Sequence, residues 1–116
     1  MDLQGVSNHG VFAPRLMAQS LRTTVDEIAQ TAGLGRDALT RANRVGTPRT
    51  QKRLREMVEI LNRVAPRFGS DLLAYAWYRS TPLAGFGEAT AMQLVRDGHA
   101  DRVHLYLDRL DAGVFA

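Results

Sequence analysis

The sequence predicts an all-α protein of six or seven helices, and three observations support this fold class. Apolar residues recur at helical spacing along most of the chain, no stretch shows the alternation of a half-buried strand, and capping residues precede several of the periodic stretches. With 116 residues, of which 45% are apolar, the chain has the size of one domain or of two small lobes that share a core.

Composition narrows the class of protein. The chain has no cysteine, which excludes disulfides and thiolate metal sites. It has no apolar run long enough for a membrane span. The first ten residues lack the basic and apolar regions of a signal peptide, so we expect a cytoplasmic protein.

Charge is divided unevenly along the chain. Residues 1–67 contain eleven Lys or Arg against six Asp or Glu, whereas residues 68–116 contain four against six. Between Arg36 and Arg55 there are seven cations and a single acid, Asp37. This asymmetry is compatible with a front half that binds a polyanion, and equally with a solvated basic face.

The first third of the chain predicts an arm followed by two helices. Residues 1–13 show no periodicity, and Pro14 then begins a helix with the apolar face Leu16, Met17 and Leu21. Thr24 is expected to cap the next helix, which has two carboxylates in its first turn. Gly33 is expected to end that helix in the left-handed conformation, after the stripe Val25, Ile28, Ala29 and Ala32.

A long helix is predicted next. Thr47 and Pro48 supply its N-cap and first helical residue, and Pro66 is expected to end it. Its apolar face comprises Leu54, Met57, Val58, Leu61, Val64 and Ala65.

Three shorter helices are predicted to follow. Ser70 is expected to cap the first, whose inner face would be Leu73, Ala76 and Trp77. After a Gly-rich loop over 81–88, a short helix ends at Gly98. The last helix ends at Gly113 and has the stripe Val103, Tyr106, Leu107 and Leu110.

This pattern divides the chain into an arm (1–13), a lobe that contains the long helix (14–65) and a small helical lobe (66–116). Ile60 and Leu105 fall outside the apolar stripes and are expected to be spare apolar surface. We therefore expect a homodimer, alone or within a larger complex.

Residues 25–42 fit a helix-turn-helix. Ala29 provides the small side chain where two helices would cross, and Gly33, four residues later, tolerates the positive φ of the turn. The core-facing positions around the turn are Ile28, Ala32, Leu34, Leu39 and Ala42. A plain helical hairpin with a glycine turn uses much the same residues and is the alternative.

In a helix-turn-helix, the second helix would begin near Arg36 and enter the major groove of DNA. Its outward-facing residues would be Arg36, Asp37, Thr40, Arg41, Asn43 and Arg44, with phosphate contacts from Arg49, Lys52 and Arg53. Asp37 would repel phosphate unless Arg36 or Arg41 neutralises it.

No catalytic or metal-binding set stands out. His99 and His104 would diverge by about 140° on a helix, and His9 is remote in sequence. Acidic residues near the C-terminus alternate with Arg96, Arg102 and Arg109, which predicts exposed ion pairs for Asp97, Asp101, Asp108 and Asp111. We therefore expect no enzyme activity, no metal and no cofactor.

The last forty residues resemble the toxin-binding region of the MbcA/ParS/Xre antitoxins. The matching elements are Trp77 with Ser80, Thr81 and Pro82, Leu94-Val95 before Asp97-Gly98, Val103 four residues after His99, Leu107, Leu110 and Gly113. One departure is Ala91, where family members often carry proline after threonine, and it bears on where the short helix starts.

The resemblance implies an antitoxin that partners a RES-domain toxin, which consumes NAD. Such antitoxins cover the toxin's active site with their C-terminal region and often repress their own operon through the helix-turn-helix. They have no catalytic activity and no cofactor. The resemblance thus implies toxin contacts from the residues Arg109, Gly113, Val114, Phe115 and Ala116.

The apolar tail has two interpretations. Val114 and Phe115 follow a helix-ending glycine, and burying a phenylalanine in a partner's cleft is worth roughly 1.5–3 kcal/mol. The alternative is that both residues pack on Trp77 or Tyr106 as part of the core. The resemblance favours the first.

Three functions are compared. The first is an antitoxin that blocks a RES-domain toxin and represses transcription. The second is a stand-alone helix-turn-helix transcriptional regulator with a helical dimerisation lobe. The third is a helical enzyme fragment, against which the lack of a catalytic set argues.

Overall fold

A computed structural model describes residues 6–8, 10–35, 37–39 and 41–113, with backbone only at residues 8, 42 and 43. It confirms the all-α class, since 65% of it is helical. Several predicted site positions lie outside the described residues: Arg36, Thr40, the side chain of Asn43, Val114, Phe115 and Ala116, together with His9.

The described residues form seven helices and two short strands. The helices are α1 (Pro14–Ser20), α2 (Val25–Thr31), α3 (Ala42–Val45), α4 (Pro48–Phe68), α5 (Asp71–Ser80), α6 (Ala91–Arg96) and α7 (Ala100–Asp111). The two-residue strands are β1 (Ser7–Asn8) and β2 (Val11–Phe12), paired antiparallel.

The long helix α4 is the centre of the fold. Thr47 caps it by accepting a hydrogen bond from the Thr50 amide at 3.4 Å, as predicted, and Pro48 is its first residue. Its buried face comprises Thr50, Leu54, Met57, Val58, Ile60, Leu61 and Val64. The helices α5, α6 and α7 all pack against it.

Two expectations about α4 are wrong. The helix does not end at Pro66 but continues to Phe68, where Gly69 closes it with φ 76°. A proline so near the C-terminal end removes one amide donor without breaking the helix. Ile60 is not spare surface, because it is fully buried, whereas Leu105 is exposed as expected.

The expected arm is a hairpin in its described part. Val6 and Phe12 are buried in the core, and Gly10 makes the turn with φ 78°. The side chain of Gln51 on α4 holds the hairpin, since its Oε1 accepts from the Phe12 amide at 2.8 Å and its Nε2 donates to the Phe12 carbonyl at 3.1 Å. Two-residue strands are too short to produce an alternating pattern in the sequence.

The turn after α2 is the one predicted. Thr24 caps α2 through the Glu27 amide at 3.1 Å, and Gly33 follows its end with φ 73°. A Cβ at Gly33 would lie 2.7 Å from the Cα of Arg96, at the end of α6. Gly33 therefore serves both the left-handed turn and a close approach of two backbones.

The second helix of the predicted helix-turn-helix begins later in the described residues than the sequence indicates. Residues 37–39 are turns, Arg41 is an extended N-cap, and only Ala42–Val45 are helical. Glycines at 35 and 46 border this segment, and α3 is a single turn too short to be stable without packing. Leu39 is buried as predicted, which anchors the segment to the core.

The inner face of α5 also differs from the prediction. Ser70 caps the helix through the Leu73 amide at 3.0 Å, as expected. The buried residues, however, are Ala74, Tyr75 and Tyr78, while Leu73 points to solvent and Trp77 is half-buried. The tyrosines fill this face because α2 supplies partners for their hydroxyl groups.

The last two helices follow the prediction. Thr90 and Gln93 form a reciprocal capping box at the start of α6, so the helix begins normally at Ala91. Gly98 and Gly113, with φ of 83° and 80°, follow α6 and α7. The α7 stripe packs inward through Val103, Tyr106, Leu107 and Leu110.

The contact at Gly33 predicts a graded loss of stability. Gly33→Ala should lower the free energy of unfolding by about 2–4 kcal/mol, because alanine is strained at positive φ and its Cβ meets the α6 backbone. Gly69→Ala is the matched control, since Gly69 also has positive φ but nothing lies within 4 Å of its Cβ position. It should cost only about 1 kcal/mol. Equal losses in chemical denaturation would contradict the close approach.

Candidate functional site

A basic surface surrounds the N-terminal end of α4. Of the predicted nucleic-acid contacts, Arg41, Arg44, Arg49 and Lys52 are all exposed. Arg44 and Arg49 also line an open groove of about 470 Å³ with the residues Leu34, Gly35, Asp37, Ala38, Thr47 and Thr50. Arg44 and Arg49 thus share one groove with the acid Asp37, while Arg41 is the N-cap of α3 and Lys52 lies in the second turn of α4.

Arg53 does not belong to this surface, although the sequence suggested a phosphate contact. Its Nη1 donates to the Val95 carbonyl at 2.7 Å and lies 3.4 Å from Glu56 Oε1. Its side chain is largely covered. It lies on the inward side of α4, where it binds the carbonyl end of α6, a favourable place for a cation.

A second surface lies at the end of α7. Arg109 is exposed, and its guanidinium carbon is 5.3 Å from the centre of the Phe86 ring. Phe86 in turn meets Tyr106 edge to face at 6.1 Å. Leu83 is fully buried and anchors the loop that carries Phe86. Arg109 is therefore presented on an ordered aromatic platform, one turn before the exposed Gly113.

Two acids of α7, Asp108 and Asp111, pair with arginines of α4 and not with the arginines beside them in sequence. Arg63 Nη2 lies 2.5 Å from Asp108 Oδ1 and 3.2 Å from Asp111 Oδ2, and Arg67 also pairs with Asp111. Arg63 further donates to the His104 carbonyl at 3.1 Å. Exposed ion pairs contribute little to stability individually. Several such pairs between α7 and the second half of α4 nevertheless align the two helices. Nothing here resembles an acid–base pair.

An apolar patch, missed by the sequence analysis, joins the end of α4 to α5. Leu73 is 55% exposed, Phe68 39% and Leu72 37%, and the Phe68 and Trp77 rings are 6.5 Å apart. Apolar residues occur on two faces of α5, so their spacing in the sequence does not indicate which face packs against the core. Among the described residues, five large apolar side chains are exposed, and four of them, this patch and Leu105, lie in the second half of the chain.

Comparison with protein families identifies this second half. Residues 60–113 match the family described as the antitoxin Xre/MbcA/ParS C-terminal toxin-binding domain. The C-terminal half of the chain is a toxin-binding domain of the Xre/MbcA/ParS antitoxins. Comparisons with curated proteins and with solved structures give no significant match.

The toxin-binding domain begins inside α4. Its first residue, Ile60, is the buried residue that the sequence analysis had placed on the surface. The domain contains the apolar patch, the Phe86 loop, Arg109 and Gly113. The boundary between lobes at residue 66 stays a prediction, and α4 continues across it to Phe68.

A polar network joins the toxin-binding domain to α2. The Tyr75 hydroxyl donates to Glu27 Oε2 at 2.9 Å, and the Tyr78 hydroxyl donates to the Thr31 carbonyl at 2.6 Å. Arg79 lies 3.6 Å from Glu27 Oε1 and stacks over the Tyr75 ring. Burial raises the pKa of Tyr75 to about 12, so its hydroxyl keeps its proton and remains a donor.

No described helix is long and apolar enough to cross a membrane. Among the same residues, no cluster of His, Asp and Glu has the arrangement of a metal site.

Glu27 predicts a pH dependence of stability. The hydrogen bond from Thr23 lowers the pKa of Glu27 below 4.5, with further lowering from Tyr75 and Arg79 against the opposing effect of burial. Because the pKa of Glu27 is lower in the folded than in the unfolded state, its carboxylate stabilises the folded protein at any pH above the unfolded-state pKa. This stabilisation is lost as the pH falls through the folded-state pKa. Glu27→Gln should therefore reduce stability at pH 7 and flatten its decline below pH 4.5. Denaturant titrations across this range, with exposed Asp26→Asn as control, measure the difference; parallel curves for wild type and Glu27→Gln would refute it.

Proposed function

We propose that this chain is an antitoxin that neutralises a RES-domain, NAD-consuming toxin by covering its active site. The observation that carries the proposal is the match of residues 60–113 to an antitoxin toxin-binding domain. The sequence resemblance to antitoxins that partner RES-domain toxins supplies the class of toxin.

The end of α7 supports a C-terminal contact with the toxin. Gly113 is exposed with φ 80°, and nothing lies within 4 Å of its Cβ position. The backbone can therefore leave the helix axis there. Arg109, exposed one turn earlier, adds a cation that suits a carboxylate or phosphate. In this proposal Val114, Phe115 and Ala116 enter the toxin's cleft, with Phe115 in an apolar part of it.

The tail gives the direct test of this function. Deletion of residues 114–116 should leave the melting temperature unchanged and restore NAD consumption by the purified toxin. Phe115→Ala should do so in part, by a few kcal/mol at most. Arg15→Ala, an exposed change outside the toxin-binding domain, is the control and should inhibit fully. Complete inhibition by the truncated chain would exclude a plug, and a large fall in melting temperature would assign the tail to the core.

Co-purification separates the antitoxin from a stand-alone transcriptional regulator. The product of a neighbouring RES-domain reading frame should co-purify with an antitoxin. A regulator acting alone would bind DNA but not that product.

A second proposed activity is repression of the antitoxin's own operon. The exposed cations Arg41, Arg44, Arg49 and Lys52 around the start of α4 support it, because such a cluster attracts the phosphates of DNA. Gly33 has the positive φ that a helix-turn-helix turn needs, and among the described residues between it and α4 only Ala42–Val45 are helical. Binding through this surface therefore depends more on the fixed start of α4 than on a long recognition helix.

Gel shifts with the promoter region test the operator proposal. Arg41→Ala together with Arg44→Ala should weaken binding, by about 1–3 kcal/mol for each of the two side chains that touches a base, and salt should weaken it for every variant. Arg15→Ala is again the control. Since operator-binding proteins act as symmetric pairs, light scattering should give a homodimer. Unchanged affinity in the double variant would reject this surface, and a monomer at tens of micromolar would reject the dimer.

A further inference from the structure

Arg96 belongs to the toxin-binding domain but lies at the basic end of the molecule. It is the last residue of α6 and is exposed. The Gly33 contact fixes its position, since the Cα of Arg96 lies only 2.7 Å from where a Cβ at Gly33 would be. The turn after α2 and the end of α6 therefore cannot be separated without disrupting this packing.

A second contact places the end of α6 beside the start of α4. Arg53 donates to the carbonyl of Val95, the residue before Arg96, at 2.7 Å. Arg53 lies one helical turn after Arg49, since a turn is 3.6 residues. The toxin-binding domain thus reaches the part of α4 that carries Arg49 and Lys52.

Two grooves meet at the turn formed by residues 33–35, and at least one arginine lines each groove. Arg96 lines a groove of about 380 Å³ with Gln30, Gly33, Leu34 and Gly35. Leu34 and Gly35 also line the larger groove that contains Arg44 and Arg49. Cations from both halves of the chain therefore flank the turn at 33–35.

We propose that Arg96 contacts a phosphate of duplex DNA beside this turn, so that the toxin-binding domain forms part of the DNA-binding surface. This inference rests on the proposed operator binding. Duplex DNA fits this surface because its phosphates are spaced at short, regular intervals and can contact the cations on both sides of the turn at 33–35. The consequence is a physical link between the two activities, since the helix that ends in Arg96 lies within the domain that binds toxin.

Salt dependence measures this contact without knowledge of the operator. Fluorescence anisotropy with a labelled 24-base-pair duplex of arbitrary sequence gives the affinity of the full chain between about 50 and 200 mM salt. Arg96→Ala should lower the affinity several-fold at low salt and reduce the slope of log K against log[salt] by about one. Arg96→Lys retains the charge and should retain the slope. Alanine keeps the Cβ that packs on Gly33, so the melting temperature should not change.

Arg67→Ala is the matched control. Arg67 is also an exposed arginine of the toxin-binding domain, but it lies at the far end of α4, where it pairs with Asp111. Its removal should leave the slope unchanged. Equal slopes for Arg96→Ala and Arg67→Ala would overturn the inference. If Arg44→Ala lowers the slope and Arg96→Ala does not, the basic surface binds DNA without Arg96; if the wild type binds no duplex, the operator proposal fails as well.

Discussion

The burial of one face of α4 is the interaction on which the rest of the structure depends. Leu54, Met57, Ile60 and Leu61 are all fully buried on this helix, and each is worth roughly 1.5–3 kcal/mol of transfer free energy. The hairpin contacts its first half, whereas α7 is paired to its second half through Arg63. A division of the chain at residue 65 would cut α4 just after its last buried residue, Val64, and would leave the second half without the helix face against which α5, α6 and α7 pack.

The length of α4 also separates two chemistries. Arg49 and Arg67 are eighteen residues apart in one helix, or about 27 Å. Cations surround the first end, and the second end carries the ion pairs to α7 and the exposed apolar residues Phe68, Leu72 and Leu73. The proposed functions assign a polyanion and a protein partner to opposite ends of α4, with α6 as the element of the toxin-binding domain beside the basic end.

The sequence predicted what depends on local contacts and missed what depends on distant ones. The caps at Thr24, Thr47 and Ser70 were predictable because each side chain bonds an amide three residues away. The inner face of α5 was not, because it depends on hydroxyl partners on α2. Tyr75 and Tyr78 are less apolar than Leu73, yet they are buried because Glu27 and Thr31 accept their hydrogen bonds.

The helix-turn-helix pattern shows the same limit at the candidate site. Spacing correctly predicted the left-handed turn at Gly33, since a turn needs only one residue that tolerates positive φ. A second helix needs several residues whose burial offsets the entropy of ordering them. Among the described side chains of residues 37–45, only Leu39 is buried. The rigid framework near this site is instead the start of α4 and the end of α6. The hydrogen bond from Arg53 joins these two elements, and Arg96 at the end of α6 packs closely on Gly33. The spacing of residues 25–42 cannot predict either contact, because both involve α6. Arg49 and Arg96 lie on this framework, whereas Arg41 is the N-cap of the single-turn helix α3, so the phosphate contacts proposed for Arg49 and Arg96 have the firmer support in the fold.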